Sequence, residues 1–410
     1  MHVVCAREYR SLLIAGMIII LLGLIMTLNM NIVKNYHLKS DTDACSDSEN
    51  IMVQISFKAA VADEMFHFLP RAAFFDNRER SKHKNTIVIL GHMRKKQGNN
   101  NVVVTACKVG DYLIKSPEIK SLKINQWLHT KFPEYTHDDV LIYCYDIPTS
   151  NVSNNSVVSV VYVNPENRSE HIAVESEHSL FIPNEGDSES STVMACTTVF
   201  DTPPHFGAWI RYQKTLGVDM VHINAHKSFL SSSSVNDSDF VESLQNGFVQ
   251  LTVWKEYLPP ASSFYYSQAL YYQYCLYRYL GVHDYCVCAD TDDFLVSIDD
   301  KDFGIHKLIK KLFHDKSTGS ASLEWIRYIE PVNGFNPPEE SIRNGNLTQH
   351  SDTSIGEHAG ELTKCIYKLS AMLEFGIHNS ALFLPSKHLR LRKSPRSEGY
   401  MAHIKKDKYK

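Results

Sequence analysis

The sequence has no excess of positive charge. Its 410 residues include 42 lysines and arginines against 46 aspartates and glutamates, a formal net charge of -4. Because a domain that binds nucleic acid is usually basic, this balance argues against a nucleic-acid partner. The hydrophobic share of 43% and the charged share of 21% are those of an ordinary globular protein, and the length suggests two or three units of domain size.

The nine cysteines lack the spacing of a structural zinc site, because no Cys-x2-4-Cys pair has a second pair to match it. Eight of them follow Cys5, and an even number in an oxidising compartment permits disulfides, although their connectivity cannot be read from spacing. The sequence also has no internal repeat at a fixed period.

One long apolar run is present. Leu12–Leu28 is seventeen residues without a charge, near the lower limit for a membrane-spanning helix. A cleaved signal peptide is the alternative, but its apolar core is normally shorter and is followed by a cleavage site of small residues. The sequence therefore predicts a cytoplasmic tail (1–11), a single uncleaved transmembrane anchor (12–33) and a polar, acidic stem (34–50), with all later residues lumenal. Five glycosylation sequons favour this orientation, at Asn151, Asn154, Asn167, Asn236 and Asn346.

The rest of the chain divides by pattern. Residues 51–190 contain short β-like runs such as "TIVILGHM" and "VLIYCYDI", separated by clusters of Asn, Ser and Gly. Residues 191–385 alternate strands and helices, which predicts an α/β fold with a mostly parallel sheet covered by helices on both faces. The last segment, 386–410, is rich in lysine and arginine and is interpreted as a solvated basic tail.

Three carboxylates follow an apolar run in "YCVCADTDDFLV" (285–296). In an extended strand Asp290 and Asp292 would point to the same side, where they could share Mn²⁺ or Mg²⁺. An isolated Asp-x-Asp is a weak signal, because most examples are solvated turns. Here it follows a predicted buried strand, and ligands of α/β sheets lie beyond the carboxyl ends of the strands. Cys286 and Cys288 are interpreted as buried thiols on one face of the same strand.

Four blocks, in the same order, resemble glycosyltransferase family 92 over about residues 70–385. They are "RAAFFDNRERSKHKNTIVILGHM", "CTTVFDTPPHFGAWIRYQKTLGVDMVHI", "SQALYYQYCLYRYLGVHDYCVCADTDDFLVSID" and "KCIYKLSAMLEFGIHNSALFL". The resemblance implies a GT-A fold and an inverting transferase of the Golgi membrane that uses a nucleotide sugar. It further implies UDP-galactose as donor and an N-glycan of a glycoprotein as acceptor, as in the β-1,4-galactosyltransferases of the family.

The resemblance also assigns site residues. Asp290 and Asp292 would bind the metal and the diphosphate, and Asp293 stands where the family has Glu. Gln268 and Cys275 match the family's helix. Lys364 would contact a phosphate, and His378 would be the third metal ligand.

An inverting transfer needs one general base, and Glu357 and Glu361, before Lys364, are the candidates. The tyrosines of the helix between Tyr265 and Tyr279 could stack on a sugar, although at helical spacing most belong to a core.

Two positions depart from the family pattern: Ala208 replaces a Glu and Ala225 replaces an Asp. They leave open an inactive protein of the same fold that binds or scaffolds. A phosphatase of the haloacid-dehalogenase type also places Asp-x-Asp after a strand, but it prefers Thr or Val where this chain has Phe294.

Overall fold

The fold is given by a computed structural model of the chain. It describes residues 68–79, 83–94, 103–122, 137–152, 156, 158–163, 170–176, 191–203, 205–254, 267–297, 304–329, 363–376, 382–384, 389–395 and 398–405. All of them belong to the larger of two compact units, Ile55–Lys410. Within these ranges no helix has the length and hydropathy needed to span a membrane. The predicted tail, anchor and stem (1–50) lie outside them.

The first part of the described chain contains eight strands. They are β1 (Phe68–Asp76), β2 (Thr86–Arg94), β3 (Val103–Val109), β4 (Tyr112–Lys115), β5 (Glu118–Ser121), β6 (His137–Cys144), β7 (Val158–Val163) and β8 (Glu170–Ser176). They form two four-stranded sheets with antiparallel pairings, in the orders β1-β2-β6-β5 and β4-β3-β7-β8. The β-rich region predicted over 51–190 is therefore two sheets in its described part. We call these two sheets the β-sandwich.

Apolar side chains cover both faces of the first sheet, because successive residues of its strands point into opposite cores. Phe75 and Ile87 lie in a core shared with Val104 of the second sheet, whereas Phe74 and Val88 face the opposite way into a different core. This is the period-two pattern expected of strands, here with apolar residues on both sides. A disulfide between Cys107 and Cys144 joins the two sheets.

The second part alternates strands and helices before it ends in strands. The elements are β9 (Val193–Val199), α1 (Phe206–Leu216), β10 (Met220–His226), α2 (Ser238–Gln245), β11 (Val249–Trp254), α3 (Gln268–Tyr279), β12 (Tyr285–Cys288), β13 (Asp293–Ser297), α4 (Ile305–Leu312), β14 (Thr318–Ile329), β15 (Thr363–Lys368), β16 (Met372–Glu374), β17 (Leu382–Phe383), β18 (Arg390–Lys393) and β19 (Gly399–Lys405). α1 ends at Gly217, which has a φ of 81° and whose N–H caps the helix.

Nine of these strands form one mixed sheet in the order β11-β10-β9-β12-β15-β14-β19-β13, with β18 beside β14. The parallel pairings predicted among the first four strands are confirmed: β9 lies between β10 and β12, and β11 follows β10. β15 then runs antiparallel to both β12 and β14. The result is a mixed α/β fold.

Helices lie on both faces of this sheet. One core contains residues of α1, α2 and α4, including Trp209, Phe240 and Leu308. The opposite core contains α3 and the outer face of the first sandwich sheet. Eleven of the twelve residues of α3 are buried. The tyrosines within α3 are thus core residues, as predicted for most of them. A second disulfide, Cys196–Cys275, ties β9 to α3.

Two sequence predictions were wrong. The stretch 285–296 was predicted to be extended throughout, but it forms β12 in the middle of the sheet and β13 at its edge, separated by a turn. Residues 386–410 were read as a solvated tail, but β18 and β19 belong to the sheet. In the sequence, the charged residues on both sides of the short apolar run Tyr400–Ala402 make the segment look solvated. In the structure this run is buried between β13 and β14.

Candidate functional site

The three predicted carboxylates lie at the carboxyl end of β12, where the chain turns toward β13. The turn is closed by the N–H of Asp293, which donates to the carbonyl oxygen of Asp290 at 3.0 Å. The backbone N–H of Asp290 donates in return to Asp293 Oδ2 at 3.1 Å. The premise that this stretch is extended was therefore wrong. A turn, not strand alternation, fixes the directions of Asp290 and Asp292.

Lys364 on β15 is the counter-ion of this turn. Its Nζ lies 2.7 Å from Asp290 Oδ2 and 3.1 Å from Asp293 Oδ2. The lysine side chain is 3% exposed and that of Asp293 is 0% exposed, whereas Asp290 is 35% exposed. Burial opposes the charged form of the lysine, but the two carboxylates outweigh it and raise its pKa, so Lys364 stays a cation.

The first turn and a half of α3 orients Asp290 from the other side. Gln268 Nε2 donates to Asp290 Oδ1 at 2.7 Å, and the hydroxyl of Tyr272 donates to the same oxygen at 3.3 Å. Residues four apart lie on one face of a helix, so both reach the same carboxylate. Burial, and then the nearby charge of Asp290, raises the pKa of Tyr272 and keeps it a donor.

His403 is a site residue that no sequence pattern marks. β19 pairs with β13 so that His403 is opposite Asp293. Its Nδ1 lies 2.8 Å from Asp293 Oδ1 and 3.6 Å from Asp292 Oδ1. It stands within the segment interpreted as a basic tail, and only the strand pairing brings it to the acids.

Two side chains of α1, Trp209 and Tyr212, donate hydrogen bonds to the start of β13. The indole Nε1 of Trp209 donates to the carbonyl oxygen of Asp293 at 2.9 Å, and the hydroxyl of Tyr212 donates to that of Leu295 at 2.5 Å. The "Trp-Ile" block is visible in the sequence, but its connection to the acidic turn, across more than eighty residues, is not.

Asp292 is the carboxylate of the turn that Lys364 does not bind. Burial raises its pKa to about 6, and the negative charges of Asp293 and Asp290 add to the rise, while His403 and Lys364 oppose it. Among the described residues, the cluster brings three carboxylates, Asp290, Asp292 and Asp293, together with one ammonium group, Lys364, and one imidazole, His403.

Asp292, Asp293 and His403 can each direct one ligand atom to a common point, because these atoms lie within 4.8 Å of one another. Carboxylate oxygens and an imidazole nitrogen are ligands that Mn²⁺ accepts, and a divalent cation would compensate the excess negative charge. The residues present therefore fit such an ion. The structure groups Asp292 with Asp293 and His403, and engages Asp290 with Lys364, Gln268 and Tyr272.

Three predicted site residues lie outside the described part of the chain: Glu357, Glu361 and His378. Their assignment as general base and metal ligand stays a prediction. Cys286 and Cys288 are buried on the α3 side beneath the turn, with sulfurs 3.9 Å apart, and neither forms a disulfide, as predicted.

Ala225, where the family has Asp, is fully buried on the α1 side of the sheet. Its neighbour Asn224 faces the other side, where it accepts from Trp254 Nε1 at 3.1 Å and donates to the carbonyl oxygen of Tyr271 at 3.3 Å. Position 225 therefore contributes to packing in this chain, and the asparagine beside it is used to hold α3 and β11.

The carboxylates that follow the central strand β12, together with the buried Lys364 of the neighbouring strand β15, form a site suited to a phosphorylated donor. A sequence model described as "Glycosyltransferase family 92" matches residues 191–410, more than half of the chain. The chain belongs to this family.

No curated protein matches the chain. Among solved structures, it is similar to one titled "Crystal structure of S. aureus TarS 1-349", with 10% sequence identity and a TM-score of 0.25. The match covers 50% of this chain and 61% of that one, so the chain spans less than two thirds of that structure.

Proposed function

We propose that the protein transfers galactose from UDP-galactose, with inversion, to an N-glycan of a glycoprotein, and that the transfer depends on Mn²⁺ or Mg²⁺. The observation that carries the metal-dependent part is the cluster of Asp292, Asp293 and His403 beside Lys364 in a member of a glycosyltransferase family. The donor sugar and the acceptor rest on the family resemblance.

Lys364 supplies the fixed positive charge of the site. Its ammonium group has three N–H donors, and the carboxylates of Asp290 and Asp293 occupy two of them. The third would donate to an oxygen of the donor's diphosphate. Because the lysine is buried and held from two sides, little side-chain freedom is lost when the phosphate binds.

Asp292, Asp293 and His403 would hold the metal ion. When bound, the cation neutralises charge that develops on the departing diphosphate. Asp290 is not proposed as a metal ligand, because Gln268 and Tyr272 bind its Oδ1 and Lys364 binds its Oδ2. It keeps the lysine in place at the edge of the site.

The proton of the acceptor hydroxyl would pass to Glu357 or Glu361, in the segment that precedes β15. Replacing each with Gln tests this assignment. The base variant should lose turnover by about 100-fold or more while its affinity for UDP stays unchanged. If both variants keep wild-type turnover, neither glutamate is the base.

We also propose that the protein is a single-pass type II protein of the Golgi membrane, anchored by residues 12–33. The two disulfides, Cys107–Cys144 and Cys196–Cys275, support an oxidising lumenal environment for the rest of the chain. Asn236 supports it as well, since this sequon residue is exposed, just before α2. External protease on sealed vesicles should spare the C-terminal part, and trimming of that part would refute the orientation.

The decisive experiment uses the full chain in detergent and a panel of nucleotide sugars with Mn²⁺, scoring hydrolysis and then transfer to N-glycans. Hydrolysis of UDP-galactose that Asp292→Asn abolishes is the expected result. Turnover of a different donor would remove the galactose assignment. Folded protein that binds Mn²⁺ but turns over no donor would favour a binding or scaffolding role.

A further inference from the structure

Residues 369–376, which follow β15 directly, are bound by side chains from both parts of the fold. From the β-sandwich, Arg78 Nη1 donates to the carbonyl oxygens of Leu369 and Met372, at 3.2 Å and 2.7 Å. Lys120 and Tyr143 reach Glu374 of the same segment, at 2.7 Å and 2.9 Å.

Asp76 fixes the guanidinium of Arg78 in this position. Nε and Nη2 donate to its two carboxylate oxygens at 2.9 Å and 2.8 Å, and the backbone N–H of Arg78 donates to Oδ1 at 3.0 Å. The side chains are 12% and 0% exposed. Arg78 thus binds a carboxylate with two donors and two backbone carbonyls with a third nitrogen, a geometry that needs the planar arginine fork.

The same segment is hydrogen-bonded to α3. The side chain of Gln273 accepts from the N–H of Phe375 at 2.9 Å and donates to its carbonyl oxygen at 2.7 Å. The hydroxyl of Tyr277 donates to the carbonyl oxygen of Leu373 at 2.7 Å. Phe74 of β1 packs on α3 as well, with its ring 5.6 Å from that of Tyr274.

Five residues closer to the N-terminus than Gln273 and Tyr277, respectively, α3 carries Gln268 and Tyr272, which bind Asp290. An α-helix moves as a rigid element, so the position of its C-terminal half sets that of its first turn. A continuous set of contacts therefore leads from Arg78 through residues 369–376 and α3 to the acidic turn.

We propose that the β-sandwich positions the nucleotide site, and that Arg78 is the positioning residue through which it acts. The family-matched region, 191–410, would then depend on residues N-terminal to it. This inference rests on the proposed function only where nucleotide binding is the readout. Arg78 is not assigned a contact with substrate.

Arg78→Lys is the informative change. It keeps a cation beside buried Asp76 but cannot bind the carboxylate and both carbonyls at once. We expect affinity for UDP with Mn²⁺ to fall about tenfold, within the range known for residues that act through others. The matched control is Arg211→Lys on α1, where the arginine pairs with Asp239 near the surface, and it should leave affinity unchanged.

A second readout needs no ligand. The thiols of Cys288 and Cys365 are 2% and 1% exposed and share the core that contains α3. Alkylation of each, followed by mass spectrometry of the full chain, should be faster in Arg78→Lys than in wild type. Val160→Ala, in the core between the two sandwich sheets, controls for general destabilisation. Each protein is labelled at the same number of degrees below its own melting temperature.

The outcomes are separable. Faster labelling in Arg78→Lys than in Val160→Ala supports the positioning role, even if the wild type binds no UDP and the proposed function fails. Equal labelling in these two variants overturns it, and so does wild-type UDP affinity in Arg78→Lys when the wild type binds.

Discussion

Lys364→Met removes the cation between Asp290 and Asp293 and keeps an unbranched side chain of similar length. Removing one partner of a buried ion pair costs about 3–5 kcal/mol, because the remaining charge has lost both water and its counter-ion. Asp293 is 0% exposed and must bear that cost, whereas Asp290 is 35% exposed and can be hydrated. We therefore expect the free energy of unfolding to fall by about 3 kcal/mol, the lower end of that range.

Denaturant unfolding of the full chain in EDTA measures this loss, and the slope with denaturant should not change. Lys368→Met is the matched control, since Lys368 lies on the same strand outside the cluster and should cost less than about 1 kcal/mol. The double variant Lys364→Met/Asp293→Asn should recover about half of the loss, because it also removes the buried carboxylate charge that has lost its lysine. A single variant as stable as the control, or no recovery in the double variant, would refute the assignment of Lys364 as the counter-ion.

The remaining predictions concern elements around the site. Burial, assisted by the charge of Arg278, lowers the pKa of His222 to about 3. Below pH 6.5 the imidazole takes up a proton in the unfolded chain but not in the native one, so the free energy of unfolding decreases as the pH is lowered. At pH 5 it should be about 2 kcal/mol lower than at neutral pH, and His222→Gln should remove this pH dependence. Trp209→Phe leaves the carbonyl of Asp293 without its indole donor and should cost about 1–3 kcal/mol and weaken UDP binding, which calorimetry would detect. Replacing Cys196 and Cys275 with Ala removes a link between residues 79 apart and should cost about 4 kcal/mol, measured from the melting temperature with the oxidised wild type as the reference.

The pattern-based predictions succeeded where a segment's environment is uniform along its length. The β-like runs of 51–190 became strands because alternating apolar residues bury both faces of the first sandwich sheet. The alternation predicted over 191–385 appears as β9 to β12 with α1, α2 and α3 between them, and Gly217 ends α1 because glycine adopts a positive φ without strain. Lys364 and Gln268 were identified by resemblance alone, and the structure brings both to Asp290.

The failures have a common cause, which is strand pairing between segments distant in the chain. An apolar run followed by Asp-x-Asp reads as one strand, because nothing local shows that β12 pairs with β9 and β15 while β13 pairs with β19. The lysines and arginines after residue 386 read as solvated, because the burial of Tyr400–Ala402 depends on two partner strands.

The sequence by itself determined the α/β alternation, the acidic segment after a buried strand and the family of the chain. These features can be recognised from hydrophobic periodicity and from short motifs. Tertiary structure alone decided which side chains meet at the acidic turn. His403 faces Asp293 only through the β13–β19 register, and Trp209 reaches its carbonyl only because α1 packs beneath β13. It also decided that Arg78, which Asp76 holds in place, binds a segment almost 300 residues away. Contacts of this kind form when long loops close around a common core, and no local preference of the chain encodes them.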